Sequence, residues 1–300
     1  MKRLITLLIF LWIFAGSINS ALATSYLYVK EYTGEKVSYI DTSTGAVNDF
    51  TSFAAGVRAW DLTIGFQENL YVTDYANSEI LKVNGNGVVS TFATGITNPK
   101  GITYYNNNLY VISSDNTIKQ VDSLGNVSTF WAGSGQDLYG VTTGEAGGFT
   151  DSIYASGGSI MDYAYAGDGT QTASWTPVIP GAVPTDLTIG FNNALYAVDR
   201  AGNVIKINSD GSSSVFYNSG LAVGDDKGIA FDGSYLYITI GDTVARIDQN
   251  GVIDLNWAIG MSFPLGLIYG EIPEPASLLT LFLFMFSWGR SYFKKRNNLP

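Results

Sequence analysis

The chain predicts an all-β fold: a six-bladed β-propeller of four-stranded antiparallel blades with mixed-blade closure, flanked by an N-terminal signal peptide and a C-terminal transmembrane helix. Three observations lead there. An apolar-tyrosine pair recurs six times at a period near forty residues. Short β-branched and aromatic runs are punctuated throughout by Gly, Asn, Asp and Ser, with little helical periodicity. An apolar segment lies at each end of the chain.

The repeat sets the architecture. The pairs are Leu27-Tyr28, Leu70-Tyr71, Leu109-Tyr110, Ile153-Tyr154, Leu195-Tyr196 and Leu236-Tyr237, with tyrosines 43, 39, 44, 42 and 41 positions apart. One strand precedes each pair, as at 101–104 and 228–231. A third follows, as at 80–83, 118–121, 204–207 and 244–247, and ends in a turn such as Asn84-Gly85-Asn86-Gly87. A fourth closes the unit, as at 88–92, 127–131 and 213–217. Four strands in about forty residues describe one propeller blade. The first unit lacks its innermost strand, and residues 263–269 supply only that strand. Docking 265–269 beside 26–29 closes the ring and removes exposed sheet edges. The third unit, 138–177, is irregular: 144–150 and 157–158 read as loose, with Asp162, Tyr163, Tyr165, Asp168 and Trp175 nearby, either as a sugar- or cation-binding loop or as a drifted blade.

The ends carry addresses. Lys2 and Arg3 precede an apolar run at 4–15, and Ala21-Leu22-Ala23 has the small-x-small form that signal peptidase cleaves, so residues 1–23 read as a signal peptide. An uncleaved anchor is the alternative, but the run is short for a span of about 20 residues. The propeller is assigned to 24–271. In 272–300, Pro273-Glu274-Pro275 precedes an apolar stretch, with a transmembrane helix expected over about 276–293. Arg290, Lys294, Lys295 and Arg296 flank it and stay cytoplasmic by the positive-inside rule. The triplet, apolar helix and basic cluster in that order resemble the PEP-CTERM sorting signal. That resemblance implies processing by an exosortase in a Gram-negative bacterium that makes exopolysaccharide, and delivery to the cell surface or biofilm matrix. An ordinary tail anchor is the plainer reading.

Composition narrows the chemistry. The chain has 16 Lys+Arg and 26 Asp+Glu; between residues 24 and 272 there are 10 bases and 25 acids, a balance of −15. Such a surface repels phosphate backbones, so nucleic acid is not an expected partner. There is no Cys, which excludes disulfides and thiolate catalysis, and no His, which excludes a Ser-His-Asp triad.

Aligning the units places Asp61, Gly101, Gly140, Asp186, Gly228 and Gly266 together at one mouth of the central channel. Asp61 and Asp186 open the same phrase, Asp-Leu-Thr-Ile-Gly-Phe, in units that face each other across a six-blade ring. Facing carboxylates can hold Ca²⁺ with carbonyls and water, serve as an acid/base pair, or bond loop amides at their own blades. Residues 70–83 resemble NHL repeats and the related gluconolactonase-like propellers. That family holds a metal with glutamate, asparagine and aspartate at inner positions; none of the six aligned positions here is Glu or Asn. The expected function is a non-enzymatic surface or matrix module binding exopolysaccharide, a cation or surface proteins. A secreted metal-dependent lactonase or hydrolase working at the channel mouth is the alternative.

Overall fold

A computed structural model describes residues 25–133, 137–146, 149–157, 160–165, 169–175, 183–221 and 227–272. The signal-peptide residues Ala21 and Ala23, Pro273-Glu274-Pro275, the expected helix and its basic flank (Arg290, Lys294, Lys295, Arg296) lie outside these, as does Asp168. No helix among the described residues is long and apolar enough to cross a membrane.

Strands β1 (Tyr26–Glu31), β2 (Lys36–Asp41) and β3 (Val47–Ser52) open the fold. Blade 1 contains β4 (Ala59–Ile64), β5 (Leu70–Asp74), β6 (Glu79–Val83) and β7 (Val89–Thr94). Blade 2 contains β8 (Ile102–Tyr105), β9 (Asn108–Ser113), β10 (Thr117–Val121) and β11 (Val127–Ala132). Blade 3 contains β12 (Leu138–Ala146), β13 (Phe149–Gly157), β14 (Ile160–Tyr165) and β15 (Gln171–Trp175). Blade 4 contains β16 (Pro184–Ile189), β17 (Leu195–Asp199), β18 (Val204–Ile207) and β19 (Ser213–Tyr217). Blade 5 contains β20 (Ile229–Phe231), β21 (Leu236–Ile240), β22 (Thr243–Ile247) and β23 (Ile253–Ile259). Last comes β24 (Pro264–Gly270). Among the described residues these strands form six four-stranded antiparallel sheets, the one at the seam ordered β24-β1-β2-β3. In that clasp sheet Leu27 pairs with Tyr269, Tyr28 with Ile268 and Val29 with Leu267. Ser25 Oγ donates to Glu271 Oε1 at 3.0 Å, so the two ends of the propeller leave it side by side.

The apolar-tyrosine pair explains why the ring closes. Alternate residues of a strand face opposite sides of the sheet, so the aliphatic member packs toward the preceding blade and the tyrosine toward the next. Tyr28 packs with Leu62 and Leu70, Tyr71 with Ile102 and Leu109, and Tyr110 with Leu138 and Ile153. Tyr154 packs with Leu187 and Leu195, Tyr196 with Ile229 and Leu236, and Tyr237 with Leu27 and Leu267. The last contact returns to the first sheet. Each pair therefore joins two seams, and no blade can be removed without opening both. Fourth-strand aromatics edge the tyrosines: Phe92 lies 4.8 Å from Tyr71 and Phe216 5.1 Å from Tyr196, both near-perpendicular. Such geometry adds about 1 kcal/mol beyond burial.

Turns between third and fourth strands are fixed by Asx side chains. Asp122 Oδ1 accepts from the amides of Leu124 and Asn126 at 2.8 and 2.9 Å. Gly125 then adopts φ +84, and a Cβ there would sit 2.5 Å from Phe92 O of the preceding blade. The turn needs glycine for both reasons.

Two sequence expectations change. Residues 144–146, 149–150 and 157, read as loose, belong to β12 and β13, which at nine residues each are the longest strands described. The β-branched residues Val141, Thr142, Thr143 and Thr150 outweigh the glycines that suggested a loop. Ile272, assigned to the sorting segment, is buried in the cluster of Tyr28, Leu62 and Leu70, so the propeller extends at least to that residue.

Candidate binding site at the channel mouth

The six aligned positions do come together, each touching the next blade. A Cβ on Gly101 would lie 2.4 Å from Tyr139 O and 2.9 Å from Gly140 Cα; one on Gly140 would lie 2.5 Å from Asp186 Cα. A Cβ on Gly228 would lie 2.0 Å from Leu265 O, and one on Gly266 would lie 2.6 Å from Asp61 Oδ1. Where the residue is aspartate, its side chain crosses the seam instead. Asp61 Oδ2 accepts from the Ile102 amide at 3.1 Å, and Asp186 Oδ2 from the Ile229 amide at 2.9 Å. Asp186 Oδ1 also accepts from Leu187 N at 2.8 Å.

Register shifts place these residues. Pairing slips between Ala59 and Leu62, between Leu138 and Val141, and between Pro184 and Asp186. A bulge leaves an amide without its ladder partner; in blades 1 and 3 a hydroxyl on the second strand supplies one, and in blade 5 a threonine does the same for the residue just before the inner strand. Thr73 Oγ1 accepts from Asp61 N at 3.0 Å, Ser156 Oγ from Gly140 N at 2.9 Å, and Thr239 Oγ1 from Gly228 N at 2.9 Å. In the clasp sheet the equivalent position, inside a shift between Val29 and Glu31, is Lys30.

Lys30 is 1% exposed, and its Nζ has no hydrogen-bond partner among the described residues. Burial first, and then the nearby Arg58 guanidinium, push it down to about 7, with the Asp61 carboxylate acting in the opposite direction. Asp61 is raised above the ordinary carboxylate range by burial, offset by the Ile102 and Leu62 amides and by Lys30. Asp186 is raised by burial and then by the charge of Asp61. The two carboxylates thus feel each other, and the Lys30 ammonium acts on Asp61. Burial of a charge in a medium of low dielectric constant is the common cause.

Aromatic rings and cations crowd the rim. The Lys30 ammonium lies 4.3 Å from the Tyr32 ring centroid and the Arg58 guanidinium 5.2 Å from the same centroid. Arg58 is also 5.7 Å from the Tyr75 ring, which stacks on Trp60 at 5.1 Å with 28° between planes. Farther round, Lys100 and Arg200 lie 4.4 and 4.9 Å from the Tyr139 ring. Trp60, Tyr139 and Lys227 line the mouth together with Asp61 and Asp186. Five of the ten bases between residues 24 and 272 therefore gather at one mouth of an acidic domain. Sequence reasoning found the carboxylates and missed this rim.

Inside the mouth the channel is narrow. Thr63, Thr103, Thr142 and Thr188 line a cavity of about 80 Å³. That is room for a few waters, far below the 300–1,000 Å³ of an ordinary ligand pocket. Among the described residues no group of three or more Asp or Glu is placed to hold a metal ion. Ca²⁺ between Asp61 and Asp186 would draw most of its six to eight oxygens from carbonyls and water.

No family model matches the chain, and no curated protein matches it in sequence. Solved structures do match in shape. A streptogramin B lyase superposes with a TM-score of 0.62 at 17% identity, covering 82% of this chain and 84% of its own. A catalytically inactive His-to-Ala variant of virginiamycin B lyase from Staphylococcus aureus, solved with quinupristin, gives 0.61 at 16% identity, covering 83% and 93%. A chain of the nidogen/laminin complex gives 0.66 at 15% identity, covering 82% and 98%. The fold is a β-propeller. At these identities the likeness reaches no further, and the same fold occurs in a lyase and in a nidogen/laminin complex.

Proposed function

We propose that this chain is an exported, non-enzymatic binding protein whose six-bladed propeller takes its ligand on the cation-aromatic rim of the channel mouth. Signal peptidase and an exosortase process its ends, and the C-terminal helix holds it in the inner membrane until it is sorted to the cell surface or matrix. One observation carries the binding reading. The mouth gathers half of the domain's cations around half-buried ring faces, while its two carboxylates are engaged by backbone amides and the channel behind them is too small to enclose a substrate. A ligand held there lies across the rim, as an extended exopolysaccharide or a surface protein does.

Two experiments test it. Full-length protein is offered a panel of extracellular polysaccharides and envelope proteins, with Trp60→Ala and Tyr139→Ala as rim variants. Retention of one class, lost in both variants, is the expected result; no retention of anything removes the binding reading. For sorting, Glu274→Ala in the producing cell leaves the C-terminal segment attached, and unchanged mass and location remove the exosortase.

The second reading, a channel-mouth hydrolase or lactonase, draws on the Asp61–Asp186 pair, both held above the ordinary carboxylate range by burial, and on the lyases among the structural neighbours. The inactive lyase variant lost a histidine, and this chain has none. Turnover in a lactone and glycoside screen, abolished by Asp61→Asn, would establish it.

A further inference from the structure

The seam between the clasp sheet and blade 1 differs from every other described seam at one atom. Where three second strands carry a hydroxyl that accepts from the inner residue's amide, this one carries a lysine ammonium with its hydrogen bonds unmade. A buried donor left unsatisfied is costly, and more so when it is charged. The neighbouring cation adds to the cost. Arg58 and Lys30 approach the same Tyr32 ring, and Arg58 has no ion pair among the described residues. Asp61 is the one carboxylate acting on Lys30, and it already accepts from the Ile102 amide. Two basic side chains converging on one ring, with a single carboxylate beside them that is already engaged by a backbone amide, form a site suited to an added negative charge.

The surroundings narrow the class of anion. Tyr32 and Tyr75 are half-buried, and Trp60 stacks on Tyr75 beside the guanidinium, giving a flat apolar wall next to the two cations. A planar carboxylate suits the fork of Arg58. The C–H face of a sugar ring suits the aromatic wall, and an amphipathic ring of that kind gains from both. An acidic peptide offers the carboxylate but no rigid face to stack. Lysine's four-carbon stem lets its ammonium follow an incoming oxygen by rotation about its last bonds.

On the reading that the mouth binds ligand, we propose that Lys30 and Arg58 form a carboxylate subsite for a uronate residue of an acidic polysaccharide, with the Tyr75–Trp60 wall taking the sugar face. The subsite belongs to one seam, so a polymer would be gripped off-centre at the mouth rather than in the channel.

Calorimetric titration of the full chain with a galacturonate oligosaccharide tests the assignment. Cello-oligosaccharide serves as the neutral probe and poly-L-glutamate as the peptide probe. The wild type is expected to prefer the uronate over both by tenfold or more. Arg58→Gln and Lys30→Met should each weaken uronate binding about tenfold and leave the cello-oligosaccharide unchanged. Arg246→Gln, at a half-buried cation paired with Asp254 away from this mouth, should change nothing. Arg58 is exposed, so its variant reports even if Lys30→Met fails to fold. Uronate affinity unaffected by either variant overturns the subsite. Equal binding of poly-L-glutamate overturns the sugar assignment in favour of acidic protein. Tight binding of the neutral probe with none of the uronate sinks the subsite while leaving the mouth a binding site; no binding of any probe counts against both.

Discussion

Blades 1 and 4 carry the same phrase and nearly the same backbone, yet their inner carboxylates live in different fields. In both, Asp-Leu-Thr-Ile-Gly-Phe runs from the mouth into a short 3₁₀ turn, with Gln67 at φ 55 and Asn192 at φ 56. In both, the carboxylate reaches an amide of the next inner strand. The difference comes from the preceding blade. Asp186 follows blade 3, whose second strand offers the Ser156 hydroxyl to Gly140; Asp61 follows the clasp sheet, which offers Lys30. A residue's chemistry in this ring is therefore set as much by the neighbour across the seam as by its own blade. That makes blade 4 an internal control for blade 1.

The largest effects should not distinguish the two. Tyr71→Ala and Tyr196→Ala each empty a seam and remove an edge-on partner of Phe92 or Phe216. Aromatic-to-Ala changes in packed cores cost about 3–5 kcal/mol. For a domain near 250 residues that is roughly 10 °C or more in Tm. Equal losses by denaturant melting support equivalent seams; a loss at one site only would break the equivalence.

The glycines facing the two aspartates should separate next. A Cβ on Gly140 meets backbone, Asp186 Cα at 2.5 Å and Thr185 O at 2.7 Å, whereas one on Gly266 is closest to the movable Asp61 Oδ1. Overpacking costs about 1–3 kcal/mol. Gly140→Ala should lie at the upper end and Gly266→Ala at the lower, read from the shift in denaturation midpoint. The reverse order would mean the clasp seam is the more rigid.

Titration sharpens the contrast further. A carboxylate whose folded pKa is raised binds its proton more tightly when folded. Its contribution is complete below about pH 4 and is lost as pH rises through the folded value. Asp186→Asn keeps an amide acceptor and deletes that loss. The variant should be more stable than wild type at pH 8 and close to it at pH 4. Asp61→Asn should gain less, because it also removes the charge facing Lys30, with Arg58 still beside it. For Lys30 the sign reverses: its folded value is depressed from 10.5 to about 7, so its contribution is present at high pH, falls as pH drops between those values and is lost below about 7. Lys30→Met should therefore be more stable than wild type at pH 6 and closer to it at pH 9. Thermal melts at these pH values decide both, and parallel curves for the two asparagine variants would remove the asymmetry.

What the sequence showed and hid follows the same division. The apolar-tyrosine pair was legible because both members lie on every seam, so selection for ring closure writes them into each unit. Asp61 and Asp186 were legible as a repeated phrase at an aligned position. Lys30 was not, because its meaning depends on register across a bulge between β1 and β24, strands more than 200 residues apart. Comparing the residue two beyond each tyrosine (Lys30, Thr73, Ile112, Ser156, Val198, Thr239) would have flagged it as the one charged member. The rim was hidden by summation: a balance of −15 says nothing about five cations gathered at one mouth. Blade 3 reads as loose because each of its glycines weakens a strand pattern, while Thr142 and Thr143 between them favour the extended strand the chain adopts.

The smallest expected effect concerns the cation that paired carboxylates first suggest. Ca²⁺ bound only by the native state raises apparent stability by RT ln(1 + [L]/Kd), about 2.7 kcal/mol at a hundredfold excess over Kd. At Asp61 and Asp186 the ion would displace a retained proton and compete with amides 2.8–3.1 Å away, with Lys30 opposing it from the clasp side. Millimolar Ca²⁺ and chelator should therefore move Tm by less than about 1 °C in wild type. Lys30→Met removes the opposing cation and is the variant in which a shift should first emerge. A larger shift in wild type, abolished by Asp186→Asn, would restore the two carboxylates as a metal site and turn the blade 1–blade 4 contrast from a difference in seams into two halves of one centre.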